Sequence, residues 1–318
     1  MEYIRGGRQK NFYTDEEKEI VNCPLCGSNE PIKIDEECGL GIVRCKVCRL
    51  IYVSPRVKAS HENYWGDKNI YYNEARLIFE GKKPHHRDKN YDAEIRFIQR
   101  FKREGKWLDV GTNMGFFLRK VVKAGYQAEG VEPSPALSSL AQEQFNLQIH
   151  QKMFEDVDLP EKNYDIITMI DVFEHISNPS LVLQKAHRLL KDDGILVIKV
   201  PNGNYNLLKM RLRKMFGLKS NLYTWNAYEH VIHYTVDTFS KIVDKHGFKV
   251  IYKHIPFPIH PPVWAQYVGH YYQYPSPFVL DWQKRLARNL LYLLGKIELF
   301  LMGRSTFSPD VMFVLKKL

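Results

Sequence analysis

Four of the five cysteines fall as two Cys-x-x-Cys pairs, Cys23 with Cys26 and Cys45 with Cys48, with eighteen residues between the pairs. Thiolates at that spacing can close a tetrahedral four-sulfur shell around zinc, because each tight turn supplies two ligands and the intervening segment can fold back as a short hairpin. A shell of four thiolates leaves no open position, so this metal is expected to hold structure and do no chemistry. Disulfides are a poor alternative in a chain whose opening "MEYIRGGRQKNFYTDEEKEI" lacks the apolar run of a secretory signal. Cys38 is left over and is expected to be a buried or inert thiol.

A second stretch, "WLDVGTNMGFF" from Trp107 to Phe117, runs an apolar strand into a small-residue turn and then into an apolar helix. A dinucleotide fingerprint starting at Gly111 would need glycine at 113 and 116, where Asn113 and Phe116 stand. The Gly-Lys-Ser/Thr of a phosphate loop is absent, and the turn carries no Lys or Arg, so a pyrophosphate is not its obvious guest. Gly111 permits the tight turn, Asn113 tolerates a left-handed backbone, and Gly115 lets helix and ligand approach closely. The next strand ends in Glu132, placed where a carboxylate can accept hydrogen bonds from both hydroxyls of a ribose.

The elements that must position these groups alternate. A helix over "DAEIRFIQRFKREG" leads to strand "KWLDV"; helix "FFLRKVVKAG" stops at Gly125; strand "QAEGVE" and helix "SPALSSLAQEQF" follow. A short strand "LQIH" precedes the apolar run "YDIITMID". Asn178 and Pro179 then cap a helix over "LVLQKAHRLLKDDG", ahead of strand "ILVIKV". After a pause over 201–234 come helix "VDTFSKIVDKHG", strand "FKVIYKHI" and a terminal strand "DVMFVLKKL". Such alternation predicts a doubly wound, mostly parallel α/β sheet covered on both faces. The expected organisation is a tail and zinc ribbon over 1–55, an aromatic-rich linker or cap over 56–92, a core over 93–254, an insertion over 255–306, and a last core strand over 307–318. Tyr64, Trp65, Tyr71 and Tyr72 are more aromatic surface than a linker needs and suit the cover of a pocket.

With 318 residues, 44% hydrophobic and 26% charged, the composition is that of an ordinary globular chain. A net charge of +10 favours anionic partners without choosing among nucleic acid, phosphorylated metabolites and acidic lipid. The most apolar window, Leu286 to Met302, contains Arg288, Asn289, Lys296 and Glu298 and is no spanning helix. A cytoplasmic location is expected. Two basic amphipathic stretches, "NLLKMRLRKMFGLK" and "WQKRLARNLLYLLGKIELFLMGR", are read first as helices packed on their own domain. The alternative is peripheral contact with anionic lipid or a lipid-linked glycan.

A small-residue loop with a ribose carboxylate and no phosphate cradle suits S-adenosylmethionine. The ordered motifs "LDVGTNMGFFL", "GVEPSP", "YDIITMIDVFEHISNP", "LKDDGILVIKVPN" and "YEHVIHYT" resemble those of class I S-adenosylmethionine-dependent methyltransferases. The closest resemblance is to the branch with an N-terminal zinc ribbon that includes deoxysugar C-methyltransferases, over roughly residues 20–253. The resemblance implies a seven-stranded Rossmann-like sheet with the loops after its first and fourth strands facing each other across a crevice. It implies that Asp109, Gly111, Thr112, Asn113, Gly115 and Phe116 form the cofactor loop and that Glu132, followed by Pro133, holds ribose. Phe154 and Glu155 would flank adenine, and Ile170 and Asp171 would line the methionine end. Asn113 departs from the glycine that many relatives carry and is expected to be tolerated.

Methyl transfer starts from an activated sulfonium, so the protein must align the acceptor and, for an oxygen or carbon acceptor, remove its proton. Histidine suits that task at neutral pH. By resemblance His175 and the pair Glu229–His230 lie beside the acceptor, with His230 as base or acceptor ligand, while His233 is expected to be structural. A relative acting on ubiquinone precursors holds a divalent metal with similar acidic and histidine residues; no second metal is expected here. The acceptor implied is a small molecule, a nucleotide- or lipid-linked sugar. Two rival readings are an RNA methyltransferase and a non-catalytic protein that keeps the fold for binding. Strand four ends in "MIDVFEH" and lacks the Asn/Asp-Pro-Pro-aromatic motif of exocyclic amino methylases, so nucleic acid is not the expected partner.

Overall fold

The computed structural model describes residues 3–4, 9–10, 13–58, 70–82, 85, 87–217, 224–257, 266–268, 271–273 and 278–318. Tyr64, Trp65, the side chain of Tyr71, Lys219 and most of the aromatic run 260–277 lie outside the described residues.

Strands β1 (Pro31–Glu37), β2 (Leu40–Cys45) and β3 (Ile51–Val53) form an antiparallel N-terminal sheet. After helices α1 (Ile70–Phe79) and α2 (Asp88–Ile98) the regular alternation begins. It runs through β4 (Lys106–Val110), α3 (Phe116–Lys123), β5 (Gln127–Val131), α4 (Pro135–Phe145), β6 (Ile149–His150) and β7 (Tyr164–Ile170). It continues with α5 (Pro179–Leu189), β8 (Leu190–Pro201), α6 (Gly203–Met215), β9 (Ile232–His233), α7 (Val236–Lys245), β10 (Phe248–His254), α8 (Phe278–Met302) and β11 (Asp310–Lys317).

The central sheet has seven strands in the order β6-β5-β4-β7-β8-β11-β10. All run parallel except β11, which enters antiparallel between β8 and β10. Both faces are covered, so its strands read as continuous apolar runs, as a parallel sheet requires. Alternate residues divide between two cores. Leu108, Ile167, Leu196 and Phe313 face the side of α5 and α7, where Val182, Phe239 and Ile242 meet them. Trp107, Ile166, Val197 and Val314 face Ile95, Ile98, Phe117 and Val121 of α2 and α3.

Two boundaries differ from the sequence expectation. Helix α5 stops at Leu189 instead of running through Asp193, because Leu190 pairs with Tyr164 and starts β8. Asp192 and Asp193 are there held by Lys162 and Lys102. Helix α2 begins at Asp88, earlier than the apolar periodicity shows, and ends at Ile98, where Phe101 N–H donates to the Ile98 carbonyl in a turn. The caps agree with expectation. Asn178 accepts from the Leu181 N–H with Pro179 at the first helical position, and Gly125 takes φ +95° just beyond α3.

The N-terminal sheet does not stand alone. Strand β9 adds to it, His233 pairing with Ile51. Glu37 accepts from the backbone N–H groups of Trp225 and Ala227, and Asp35 is bidentate to Arg213 of α6 and accepts from the Trp225 indole. The described residues of the pause in alternation over 201–234 are therefore the seam between the N-terminal sheet and the core. It is filled by α6 and a loop whose residues 224–229 are all buried.

Candidate active site

At the N-terminal end, the Sγ atoms of Cys23, Cys26, Cys45 and Cys48 all lie within 4.8 Å of one another, and none is in a disulfide. Gly27 N–H donates to the Cys23 carbonyl and Arg49 N–H to the Cys45 carbonyl, so each Cys-x-x-Cys is a closed turn. Residues Gly27 (φ +75°) and Arg49 (φ +70°) turn the backbone left-handed directly after the second cysteine of each pair. Four convergent sulfurs on two such turns fit a tetrahedral zinc shell. Cys38, half-buried against the ribbon's own core, is not part of the group.

The cofactor crevice lies where the strand order reverses, between β4 and β7, outside the C-terminal ends of the strands. The loops after these two strands touch. A Cβ placed on Gly111 (φ +72°) would come within 2.5 Å of Val172 Cγ2, so only glycine lets them close. Asn113 takes the left-handed conformation (φ +52°), and its side-chain oxygen accepts from the Met114 N–H at 2.7 Å, which is how the chain does without a third glycine. Gly115 (φ +75°) opens α3. Glu132, at the end of β5 before Pro133, is 5% exposed; its carboxylate accepts from the Asn113 N–H at 2.8 Å and the Ser134 N–H at 3.0 Å. Burial pushes this carboxyl up to about 7, against the pull of those two N–H groups. Two oxygens with lone pairs to spare leave it able to accept further, and the buried Thr112 lies beside Asp109 at the same loop. These groups fit the ribose end of S-adenosylmethionine.

Other expected cofactor residues are placed as follows. Asp109 is buried below the loop, accepting from Thr168 Oγ1 at 2.7 Å, and burial raises its carboxyl to about 7. Phe116 starts α3, and His85 (4.3 Å between ring centroids) and Phe79 (5.2 Å) stack on it. Phe154 is packed in the main core with Lys185 Nζ over its ring, and Glu155 is half-buried beside it. Ile170 and Asp171 end β7, Asp171 with φ +57°.

The Asp171 carboxylate is not left open. Arg87, the residue that precedes α2, forms an ion pair with it, and Lys199 Nζ lies 3.4 Å away while pairing with Glu94 Oε1 at 2.9 Å. Burial works against the Asp171 charge, and Arg87 and Lys199 override it, holding the carboxyl at about 2. Neither Arg87, Glu94 nor Lys199 is an obvious site residue from sequence. Lys199 had a signal, a lysine inside the otherwise apolar "ILVIKV".

The histidine cluster lies across the crevice. His175, in a short 3-10 turn over Phe173–His175, directs Nδ1 at the Glu229 carbonyl 2.7 Å away. A carbonyl only accepts, so Nδ1 donates and the neutral ring keeps its lone pair on Nε2. The rings of His175 and His230 meet at 4.8 Å between centroids. The carboxylate between them is Glu174, which the sequence places inside the "EH" motif without marking it. Its Oε1 lies 3.9 Å from His175 Nε2 and 4.0 Å from His230 Nε2. Glu174 is 2% exposed, neither of its side-chain oxygens has a hydrogen-bond partner among the described residues, and burial together with the Asp171 charge raises its carboxyl well above the usual range. The Glu229 carboxylate accepts from Asn226 Nδ2 at 2.9 Å, while its carbonyl orients His175. His233 is buried against Trp225 and kept neutral by burial, its pKa lowered to about 3, as a structural residue would be.

A fold and crevice of this kind define a Rossmann-like methyltransferase. The family model described as a methyltransferase domain matches residues 84–253, and the chain belongs to that family. Residues 84–253 are its methyltransferase domain. Among curated proteins, the ubiquinone biosynthesis O-methyltransferase of Rhodopseudomonas palustris (strain TIE-1) is 29% identical over 105 residues, 31% of this chain and 41% of that protein. That of Bradyrhizobium diazoefficiens is 24% identical over 152 residues, 44% of this chain and 60% of that protein. The chain thus spans about two to three fifths of the length of these relatives. A chain from the complex between the Haloferax volcanii Trm112 methyltransferase activator and a methyltransferase superposes with a TM-score of 0.50 at 14% identity, covering 79% of this chain and 98% of that one. Likeness at that identity is likeness of fold.

Proposed function

We propose that this enzyme methylates an oxygen of a small, lipid-linked acceptor, whose proton is received in the Glu174–His175–His230 cluster. The observation that carries this reading is the buried Glu174 carboxyl set between two imidazole nitrogens at 3.9 and 4.0 Å. Bound at the Gly111–Gly115 loop and Glu132, S-adenosylmethionine would supply an activated methyl group. His230 would take the acceptor's proton, and the buried Glu174 carboxyl, neutral in this setting, would accept a hydrogen bond from the imidazolium through its carbonyl oxygen. His175, fixed through the Glu229 carbonyl, would position the acceptor.

Oxygen is favoured as the atom methylated because the curated relatives are named O-methyltransferases. Their names also tie them to ubiquinone biosynthesis, which supports an acceptor carried on an apolar tail over a sugar nucleotide; a lipid-linked sugar satisfies the deoxysugar resemblance as well. Methyl uptake from labelled S-adenosylmethionine, measured with polyprenylated phenols, lipid-linked sugars, sugar nucleotides and RNA, tests the reading. Turnover on sugar nucleotides or RNA alone would overturn it. We also infer that the four thiolates hold zinc.

One observation favours a second reading of the histidine cluster. Glu174, His175 and His230 offer three ligand atoms within 4.8 Å, a spacing that also suits a shared divalent cation. Under that reading turnover depends on added magnesium or zinc and stops with a chelator too weak to strip the cysteine site.

A further inference from the structure

Among its described residues, helix α8 is anchored by one face. Gly295 packs so tightly on the loop before β11 that a Cβ there would come within 3.0 Å of Ser308 Cβ. Tyr292 and Leu299 join the main core, and Glu298 turns inward to accept from the Thr306 N–H and hydroxyl. At 100° per residue these positions share one side of the helix. Opposite them, Leu286, Leu290, Leu293, Ile297, Phe300 and Leu301 fall within an arc of roughly 100°. All six are exposed, from 46% at Ile297 to 88% at Phe300.

We propose that this stripe lies on an anionic lipid surface. Three cations border its C-terminal end: exposed Lys296 and Arg304, and Lys253, whose ammonium donates to the Gly303 carbonyl. Between Leu286 and Met302 the helix has a single acid, Glu298, which points away from the stripe and is 10% exposed at its side chain. A basic rim round an apolar stripe suits acidic headgroups above acyl chains. It disfavours a second copy of this chain, which would bring like charge to like on a molecule of net +10. No helix among the described residues is long and apolar enough to cross a membrane, so the contact is interfacial. Topology gives the contact a use. β10 runs parallel to β8 and ends at the edge where β4 and β7 open onto the crevice; after α8 the chain re-enters the sheet at that edge, Asp310 pairing with Pro201, and Asn90 of α2 donates to the Phe257 carbonyl. The surface stands whether or not the acceptor proposed above is lipid-borne.

The test is co-sedimentation of the full chain with vesicles of equal parts phosphatidylglycerol and phosphatidylcholine, against phosphatidylcholine alone. Binding is expected to the mixed vesicles only, and to weaken with salt. Leu293→Glu and Phe300→Glu, both on the exposed face, should each lower the partition coefficient about tenfold or more, since each withdraws one apolar side chain from the bilayer. Their S-adenosylmethionine affinity by calorimetry should match that of the parent chain, which shows that the fold is intact. Equal sedimentation with both vesicle types, no sedimentation with either, or a dimer in ultracentrifugation that either variant dissolves would overturn the proposal. An inactive enzyme that still binds the mixed vesicles would count against the proposed reaction and not against this surface.

Discussion

Asp171 stands between two cations that come from different layers of the molecule. Arg87 reaches it from the entry to α2, and Lys199 reaches it from the middle of the sheet. One carboxylate at the end of β7 thereby fastens the segment before the core to the rim of the cofactor crevice.

The two ways of breaking this arrangement should differ. Arg87→Gln leaves Asp171 paired with Lys199. Asp171→Asn leaves Arg87 and Lys199 facing each other. Removing one partner of a buried pair costs about 3–5 kcal/mol, and the solvent contact kept by this pair (21% of each side chain) puts the loss toward the lower end. Asp171→Asn is therefore expected to lower the denaturant midpoint more than Arg87→Gln. Equal midpoints would mean that Lys199 gives Asp171 no support.

Cofactor affinity should depend on pH through Glu132. Burial raises its carboxyl to about 7, so below that value it is protonated and a poorer acceptor for ribose hydroxyls. Affinity for S-adenosylmethionine, by calorimetry, should rise as pH rises through about 7. Glu132→Gln should remove that dependence and weaken binding about tenfold or more, the loss of one charge-assisted hydrogen bond of roughly 1.5–3 kcal/mol. The stability trend has the opposite sign. A carboxyl whose folded pKa lies above its unfolded value favours the folded state less as pH rises from about 4.5 to about 7.

His230→Ala should cut turnover by about 10²–10⁴-fold and leave cofactor affinity unchanged, since its role begins after the cofactor is bound. Glu174→Gln keeps the volume but removes the ionisable group between the rings, and turnover should fall by a comparable factor. A Glu174→Gln enzyme with full turnover would remove this carboxylate from both readings of the cluster.

Metal analysis should find one tightly held zinc per chain. Cys45→Ser should abolish it and unfold the ribbon, as structural zinc contributes on the order of 10 kcal/mol to such modules. Cys38→Ser should leave metal content unaltered. Because the ribbon shares backbone hydrogen bonds with the His230 loop, Val53 N–H donating to the Val231 carbonyl and Val231 N–H to the Glu174 carbonyl, loss of zinc should also depress turnover.

What could be read in the sequence was whatever is written locally. The strands of a parallel sheet are apolar on both faces, so "YDIITMID" and "ILVIKV" announce themselves. Gly111, Asn113 and Gly115 mark backbone that must turn left-handed, and two Cys-x-x-Cys pairs specify their own geometry. What stayed hidden depends on pairings across long separations. Leu190 belongs to a strand because Tyr164 lies beside it, although its neighbours continue a helical pattern. Arg87 looks like one more charge in a polar linker until β7 brings Asp171 to it. Glu174 differs from any surface acid only in that the 224–234 loop closes over it, and nothing within "DVFEHI" records that closure.

The joining of β9 to β3 has a consequence for the order of events during synthesis. The cysteine turns leave the ribosome before the core, yet Glu37 finds the N–H groups of Trp225 and Ala227 only 188 and 190 residues later along the chain. Strand β3 likewise waits for Ile232 and His233. Until then the ribbon's inner edge is an unpaired strand, open to whatever else can pair with it. The nascent protein must carry that edge uncovered through translation of most of the sheet. Early zinc capture would keep its two turns in register for a partner that arrives near the end.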